Sequence, residues 1–130
     1  MIEIVEKYVS IWSANGTSDL EKVFSEKSKY WDATQEGNAI ELLTGSIAST
    51  HEVFSNVLFR IVSLSATDHN QCFLEWQMTG TNTGAFFGHA PTGKSIEIQG
   101  LDSIKYDSNK IIELKSYYDS SLFGQQLGLQ

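Results

Sequence analysis

Ser95-Ile96-Glu97-Ile98-Gln99-Gly100-Leu101-Asp102-Ser103-Ile104-Lys105-Tyr106 alternates apolar and polar residues with a period of two. That period marks a β-strand with one face turned to a core. One face collects Ile96, Ile98, Gly100, Asp102, Ile104 and Tyr106; the other collects Glu97, Gln99, Ser103 and Lys105 around Leu101. A carboxyl group therefore lies among isoleucines, where it is costly unless it is protonated or hydrogen-bonded. Burial of that kind raises a carboxyl pKa and makes the group useful as an acid or base. The alternative reading of Asp102 is a buried structural acid that bonds a nearby amide or tyrosine.

The same period extends on both sides of this stretch. It predicts strands over Phe59 to Ala66, Cys72 to Thr83, Ser95 to Asp107 and Lys110 to Asp119. Polar connections at Asp68-His69-Asn70, Phe87 to Lys94 and Ser108-Asn109 join them as an antiparallel meander. Upstream the period is helical. Ile4, Val5, Tyr8, Val9, Ile11 and Trp12 form one stripe between Ile2 and Trp12. Asn15-Gly16-Thr17 breaks that helix, and Ser18-Asp19-Leu20-Glu21 has the capping-box spacing of a second one, running to about Phe24. Lys29 to Ala33 reads as a short strand and Gln35 to Asn38 as a loop. Ile47, Val53, Phe54, Val57 and Leu58 suggest a third helix over Ser46 to Leu58. Helices first and a meander after is the order of an α+β fold whose curved sheet wraps around helices on one face and leaves one end open.

The sequence has 130 residues, 41% of them hydrophobic and 12% aromatic, enough for one core and not two. With 16 acidic against 9 basic residues the formal charge is -7, which argues against nucleic acid and anionic lipid as partners. A single cysteine, Cys72, and an opening without a charged and apolar leader pattern suggest a cytoplasmic setting. No apolar run is long enough to span a bilayer.

Further candidates come with less direction. Tyr8 lies inside the first helix's apolar stripe, so its hydroxyl needs an interior partner, and core filler is the plainer reading of such a residue. Asp32 follows Tyr30 and Trp31, which lie on opposite faces of their strand, so parity does not orient it. Asp119 shares its parity with Glu113 and Lys115 and points outward unless a bulge reverses it. His51 and His89 titrate near neutrality but have no matching partner. The histidines His51, His69 and His89 sit on different elements and Cys72 has no CxxC mate, so no metal is expected. A nucleophile elbow, a phosphate-cradling loop and a dinucleotide fingerprint are absent from the sequence, and no cofactor is expected.

Thr79-Gly80-Thr81, Gly84, Phe86, Gly88, Pro91-Thr92-Gly93-Lys94, Asp119 and Gln126-Leu127-Gly128 resemble the pattern of SnoaL-like polyketide cyclases. Tyr8-Val9, Leu20 to Phe24 and Tyr30-Trp31-Asp32 are similar to the opening of ketosteroid isomerases, which share the same nuclear transport factor two-like superfamily. The resemblance implies one domain over residues 1–130 with a cone-shaped ketosteroid-isomerase-like fold, N-terminal helices packed on a curved, mostly antiparallel sheet. It implies Asp32 as a proton-abstracting base, with Tyr8 and a neutral Asp102 as donors to an enolate oxygen. In the cyclases the acid/base resembles Asp119. Trp12, Trp76, Phe86 and Phe123 would wall a hydrophobic pocket, with His89 and Tyr118 beside them, although aromatics at such positions are more often plain core.

Those implications point to a cofactor-independent isomerase or aldol-type cyclase acting beside a carbonyl of a hydrophobic small molecule, in a homodimer. A noncatalytic binding module is the alternative, because one fold hosts many functions. An epoxide hydrolase of the limonene type ranks last, since it wants an arginine between two acids and Arg60 is the only arginine.

Overall fold

A computed structural model describes residues 2–129. Helix α1 (Ile2–Ala14) buries Ile4, Val5, Tyr8, Val9 and Ile11, the stripe that the 3.6 period predicts. It ends where Asn15 takes a left-handed φ of 54° and the Gly16 amide donates back to the Ile11 carbonyl at 3.0 Å. That is the wrapped C-terminal geometry that asparagine tolerates well. A single turn of 3-10 helix (Thr17–Asp19) leads into α2 (Leu20–Val23), and strand β1 (Phe24–Asp32) follows without a break.

Several expected boundaries are corrected: β1 begins at Phe24 rather than Lys29. Gln35 to Asn38 is strand β2 (Gln35–Asn38), not loop: it pairs antiparallel with β1, Lys29 opposite Asn38 and Asp32 opposite Gln35. Helix α3 (Ala39–Val53) starts well before Ser46, because Asn38 caps it by accepting from the Glu41 amide at 3.1 Å. Its buried stripe is Ala39, Leu43 and Ile47, and Gly45 sits in open space on the solvent side. Phe54 to Leu58 belongs to strand β3 (Phe54–Ala66). A bulge around Asn56, whose φ is 54°, shifts the register there, so Phe54, Val57 and Phe59 are all buried at spacings of three and two. Those spacings imitate a helical stripe in the sequence.

Strands β4 (Gln71–Asn82), β5 (Ser95–Asp107) and β6 (Lys110–Tyr118) complete the meander, and α4 (Ser121–Leu127) follows. The strand order is β2-β1-β6-β5-β4-β3, antiparallel everywhere except between β1 and β6. One hydrophobic core joins the inward sheet face to the helices, with Leu20, Phe24, Leu43, Ile98, Ile104 and Leu114 among its residues. No helix of the described residues is long and apolar enough to cross a membrane.

Candidate active site

Asp102 lies on the inward face of β5, as the alternation predicts, and is 1% exposed. Its Oδ1 accepts from the Trp76 indole Nε1 at 2.9 Å. The indole reaches it by lying over Gly100, directly across in the β4–β5 register, where a β-carbon would overlap the six-membered ring. Ser116 stands opposite Asp102 on β6. Burial dominates and pushes the carboxyl up to about 7, against the opposing effects of Ser116 and Trp76. Asp102 thus keeps its proton up to near-neutral pH.

Asp32, at the end of β1, is 3% exposed and lives in the opposite regime. Its Oδ1 accepts from the Thr34 amide at 2.7 Å, the Thr34 hydroxyl at 2.7 Å and the Gln35 amide at 3.2 Å. Its Oδ2 accepts from the Tyr30 hydroxyl at 2.7 Å and, more loosely, from Gln35 Nε2 at 3.5 Å. Desolvation acts to raise its pKa, but the bonds from Thr34, Tyr30 and Gln35 together outweigh it and hold the carboxyl below its ordinary value. The β1–β2 turn is therefore a socket for an ionised carboxylate.

Both acids line one hollow of about 270 Å³ between the sheet, α1 and α3. Tyr8 projects into it from α1 and Tyr118 from β6. Burial, then the charge of Asp102, raises the Tyr8 phenol well above its ordinary value, with the Trp12 indole opposing. Burial and the charges of Asp32 and Asp102 push Tyr118 up to about 12. Both stay protonated. Tyr30 spends its hydroxyl on Asp32, whereas the hydroxyl hydrogens of Tyr8 and Tyr118 have no acceptor among the described residues. The Trp12 Nε1, also on the hollow, is buried with no acceptor among the described residues. One wall is a run of rings: Trp12 stacks on Phe59 at 5.3 Å between centroids, Phe59 on Trp76 at 4.7 Å, and Trp76 leans on Tyr118 at 5.9 Å.

Of the residues singled out in the sequence, the hollow brings together Tyr8, Asp32, Asp102, Trp12, Trp76, Tyr118 and Phe123. Phe86 lines an adjoining hollow of about 380 Å³ instead. His89 is exposed and lines neither, because a tight turn pairs its backbone with that of Phe86 and carries it out to solvent. Asp119 is likewise exposed: its Oδ1 accepts from the Ser121 amide at 3.0 Å and the Ser121 hydroxyl at 2.6 Å, in the turn that leads into α4. Strict parity had it outward, and no bulge reverses that. His51 Nε2 lies 2.6 Å from the Trp12 carbonyl oxygen and ties α3 to α1. Arg60 is on the outward sheet face, donating to Gln77 Oε1. Tyr30, Thr34, Gln35 and Ser116 are the site residues that sequence reasoning missed. A capping pattern of Asp32 followed by Thr34 is the one signal that pointed to part of this set. A larger open groove of about 900 Å³ on the outward face, around Lys29, Trp31 and Tyr117, contains no buried carboxyl group.

The family model of SnoaL-like polyketide cyclases matches residues 2–127. The chain belongs to that family. Solved structures similar to this SnoaL-like chain include AclR from Streptomyces galilaeus, at 17% identity and a TM-score of 0.86 over 98% of this chain and 84% of that one. IdmH from Streptomyces antibioticus gives 16% identity and a TM-score of 0.86 over 97% and 96%. A protein of ketosteroid isomerase-like fold from Catenulispora acidiphila gives 20% identity and a TM-score of 0.81 over 98% and 94%. At such identities the likeness establishes the fold. No curated protein matches the sequence.

The SnoaL-like motif residues, with Asn82 beside them, have structural reasons in this chain. Fully buried Asn82 accepts from the Thr92 amide at 2.8 Å and hydroxyl at 2.9 Å, and donates to the carbonyls of Val53 and Gly84. The Pro91-Thr92-Gly93-Lys94 turn is pinned to the sheet by that side chain together with the Asn82 backbone, which donates to Lys94 O at 2.8 Å and accepts from the Gly93 amide at 2.9 Å. Gly84 passes so close to the Glu52 carbonyl that a β-carbon would overlap it. Gln126 bonds both backbone groups of Glu97, at 2.7 and 2.9 Å, and so docks α4 on β5. The motif lies outside the hollow of the two acids, with Phe86 alone lining the adjoining one, and contributes no acid to either.

Proposed function

We propose that this SnoaL-like domain is a cofactor-independent acid/base enzyme that moves a proton beside the carbonyl of a hydrophobic small molecule, as an isomerase or an aldol-type cyclase. One observation carries the reading: two buried carboxyl groups line a single hollow in contrasting surroundings, Asp102 met by one indole donor and Asp32 by the donors of Thr34, Gln35 and Tyr30, which pushes their acidities apart. Environments that push two acids apart in this way assign a donor and a base.

In this mechanism the substrate carbonyl oxygen faces the Tyr8 hydroxyl and the neutral Asp102. Asp32 takes the proton from the neighbouring carbon through Oδ2, whose long contact to Gln35 leaves it the freer oxygen. Negative charge then moves onto the carbonyl oxygen, where the two donors meet it in a site shielded from water. Return of the proton to another carbon completes an isomerisation; attack of the enolate on a second carbonyl of the same molecule completes a ring closure. A carboxylate held below its ordinary pKa is a weak base, so the substrate carbon must be acidic, activated by a second carbonyl or a double bond. The aromatic run beside the acids suits a flat, apolar body.

The test uses a simple β,γ-unsaturated ketone as substrate. Isomerisation is expected to fall by about 10²–10⁴ in Asp32→Asn and to be unchanged in Asp119→Asn, with a bell-shaped pH profile whose upper limb falls near 7 as Asp102 loses its proton. Activity that survives Asp32→Asn overturns the assignment of the base. Tight ligand binding without turnover in any variant favours a binding module over an enzyme. We further propose a cytoplasmic homodimer that pairs through the outward sheet face, where Leu58, Leu101 and Tyr117 are exposed; sedimentation velocity reads that directly.

A further inference from the structure

The loop between β4 and β5 turns sharply over Phe86-Phe87-Gly88-His89, with the Phe86 amide donating to His89 O at 3.0 Å and the His89 amide to Phe86 O at 2.8 Å. Both central residues are left-handed, Phe87 at φ 44° and Gly88 at φ 80°. Hairpin turns of this hand strongly prefer Asn, Asp or Gly at both positions. A bulky side chain there is an outlier, and strained residues of that kind persist chiefly at ligand clamps and switches. Packing does not explain this one: the Phe87 side chain is 89% exposed, and its one aromatic neighbour is Phe86, edge-on at 4.8 Å.

Yet Phe87 lines both hollows, the one that holds Asp102 and Asp32 and the adjoining one walled by Val53, Phe54 and Phe86. The two also share Thr34, Tyr118 and Phe123, so the second hollow extends the first toward solvent. A ligand that places its oxygen at Tyr8 and Asp102 and extends into the second hollow passes Phe87, which lines both. We propose that Phe87 is a specificity-determining residue, a strained aromatic flap that closes on the distal ring of a fused bicyclic or larger ligand and discriminates it from single-ring molecules. The proposal deepens the function proposed above and rests on its hollow, though not on its chemistry.

Binding of phenol and of 2-naphthol, followed by titration calorimetry at pH 6, tests it. Both offer one oxygen to the donors, and only 2-naphthol carries a second ring. Phe87→Asn is expected to raise the 2-naphthol Kd about tenfold, the equivalent of roughly 55 Å² of lost apolar contact. The phenol Kd is expected to be unchanged, and Phe87→Leu to fall between wild type and Phe87→Asn for 2-naphthol. Because asparagine tolerates the left-handed backbone, the Tm of Phe87→Asn is expected to equal or exceed that of wild type. An unchanged 2-naphthol Kd in Phe87→Asn overturns the flap, and so does an equal weakening of both probes or a Tm lower by more than about 4 °C, which would mark Phe87 as structural. If the wild-type protein binds neither probe, the flap and the hollow as a ligand site both fail. If it binds phenol alone, the flap fails and the hollow stands.

Discussion

Replacing Asp102 with asparagine is expected to stabilise the protein at alkaline pH, which is the reverse of what removing a hydrogen-bonded residue usually does. Asparagine keeps an oxygen to accept from Trp76 and is the neutral shape of the acid, so it mimics protonated Asp102 at every pH. The native carboxyl rises from its ordinary 3.8 to about 7 on folding. Between those values the folded chain holds a proton that the unfolded chain has released, so the contribution of Asp102 to wild-type stability falls as pH rises through that window and is flat on either side of it. Multiplying the difference by 1.36 kcal/mol per tenfold change in acidity gives about 4 kcal/mol. With 1% of the residue exposed, solvent screening does little to reduce it.

Urea unfolding of both proteins from pH 4 to pH 8.5 measures this. The other carboxyl groups titrate alike in the two chains, so the difference isolates Asp102. The variant is expected to gain on wild type by about 1.4 kcal/mol per pH step between pH 4 and pH 7, and by about 4 kcal/mol at pH 8. A difference that is independent of pH would refute the reasoning, since it would mean that Asp102 ionises in the folded state as readily as in the unfolded one.

Two other substitutions follow from the packing. Gly100→Ala puts a methyl group into the Trp76 ring, breaking the stack on Phe59 and the bond to Asp102; a loss of about 1–3 kcal/mol and a shifted tryptophan emission are expected. Asn82→Ala leaves the Thr92 amide and the Gly84 carbonyl without their partner, while the Val53 carbonyl keeps the Thr83 and Gly84 amides, at a cost of about 2–3 kcal/mol. Hydrogen exchange of residues 83–94 is expected to speed up while that of β5 is unchanged.

The acid on β5 was legible because two-residue alternation is unbroken there and its neighbours are isoleucines. Asp119 was legible as outward for the same reason. Helix α1 was legible because its stripe has no competing pattern. Where a bulge inserts one residue, as at Asn56, the buried positions slip to spacings of three and two, and strand reads as helix. Strand β2 is four polar residues whose only claim to be a strand is its pairing with β1, a tertiary fact. Asp32 was illegible for a different reason: Tyr30 and Trp31 are both aromatic, one packed inside and the other on Tyr117 at 5.2 Å outside, so hydrophobicity does not choose between the faces. Its donors, Thr34 and Gln35, are common turn residues with no pattern of their own. The motif shared with the family did not locate the acids, because Thr92 serves the Asn82 side chain and Gln126 the backbone of Glu97.

The central claim is that one hollow holds a protonated and an ionised carboxyl group together near neutral pH. Carbon-13 NMR of aspartate labelled at the carboxyl carbon, with Asp102 and Asp32 assigned through their asparagine variants, reads both states in one titration. The account expects the Asp102 carbon to cross its midpoint near pH 7 and the Asp32 carbon below 3.8. Two carbons that cross together in the ordinary carboxylate range would contradict it.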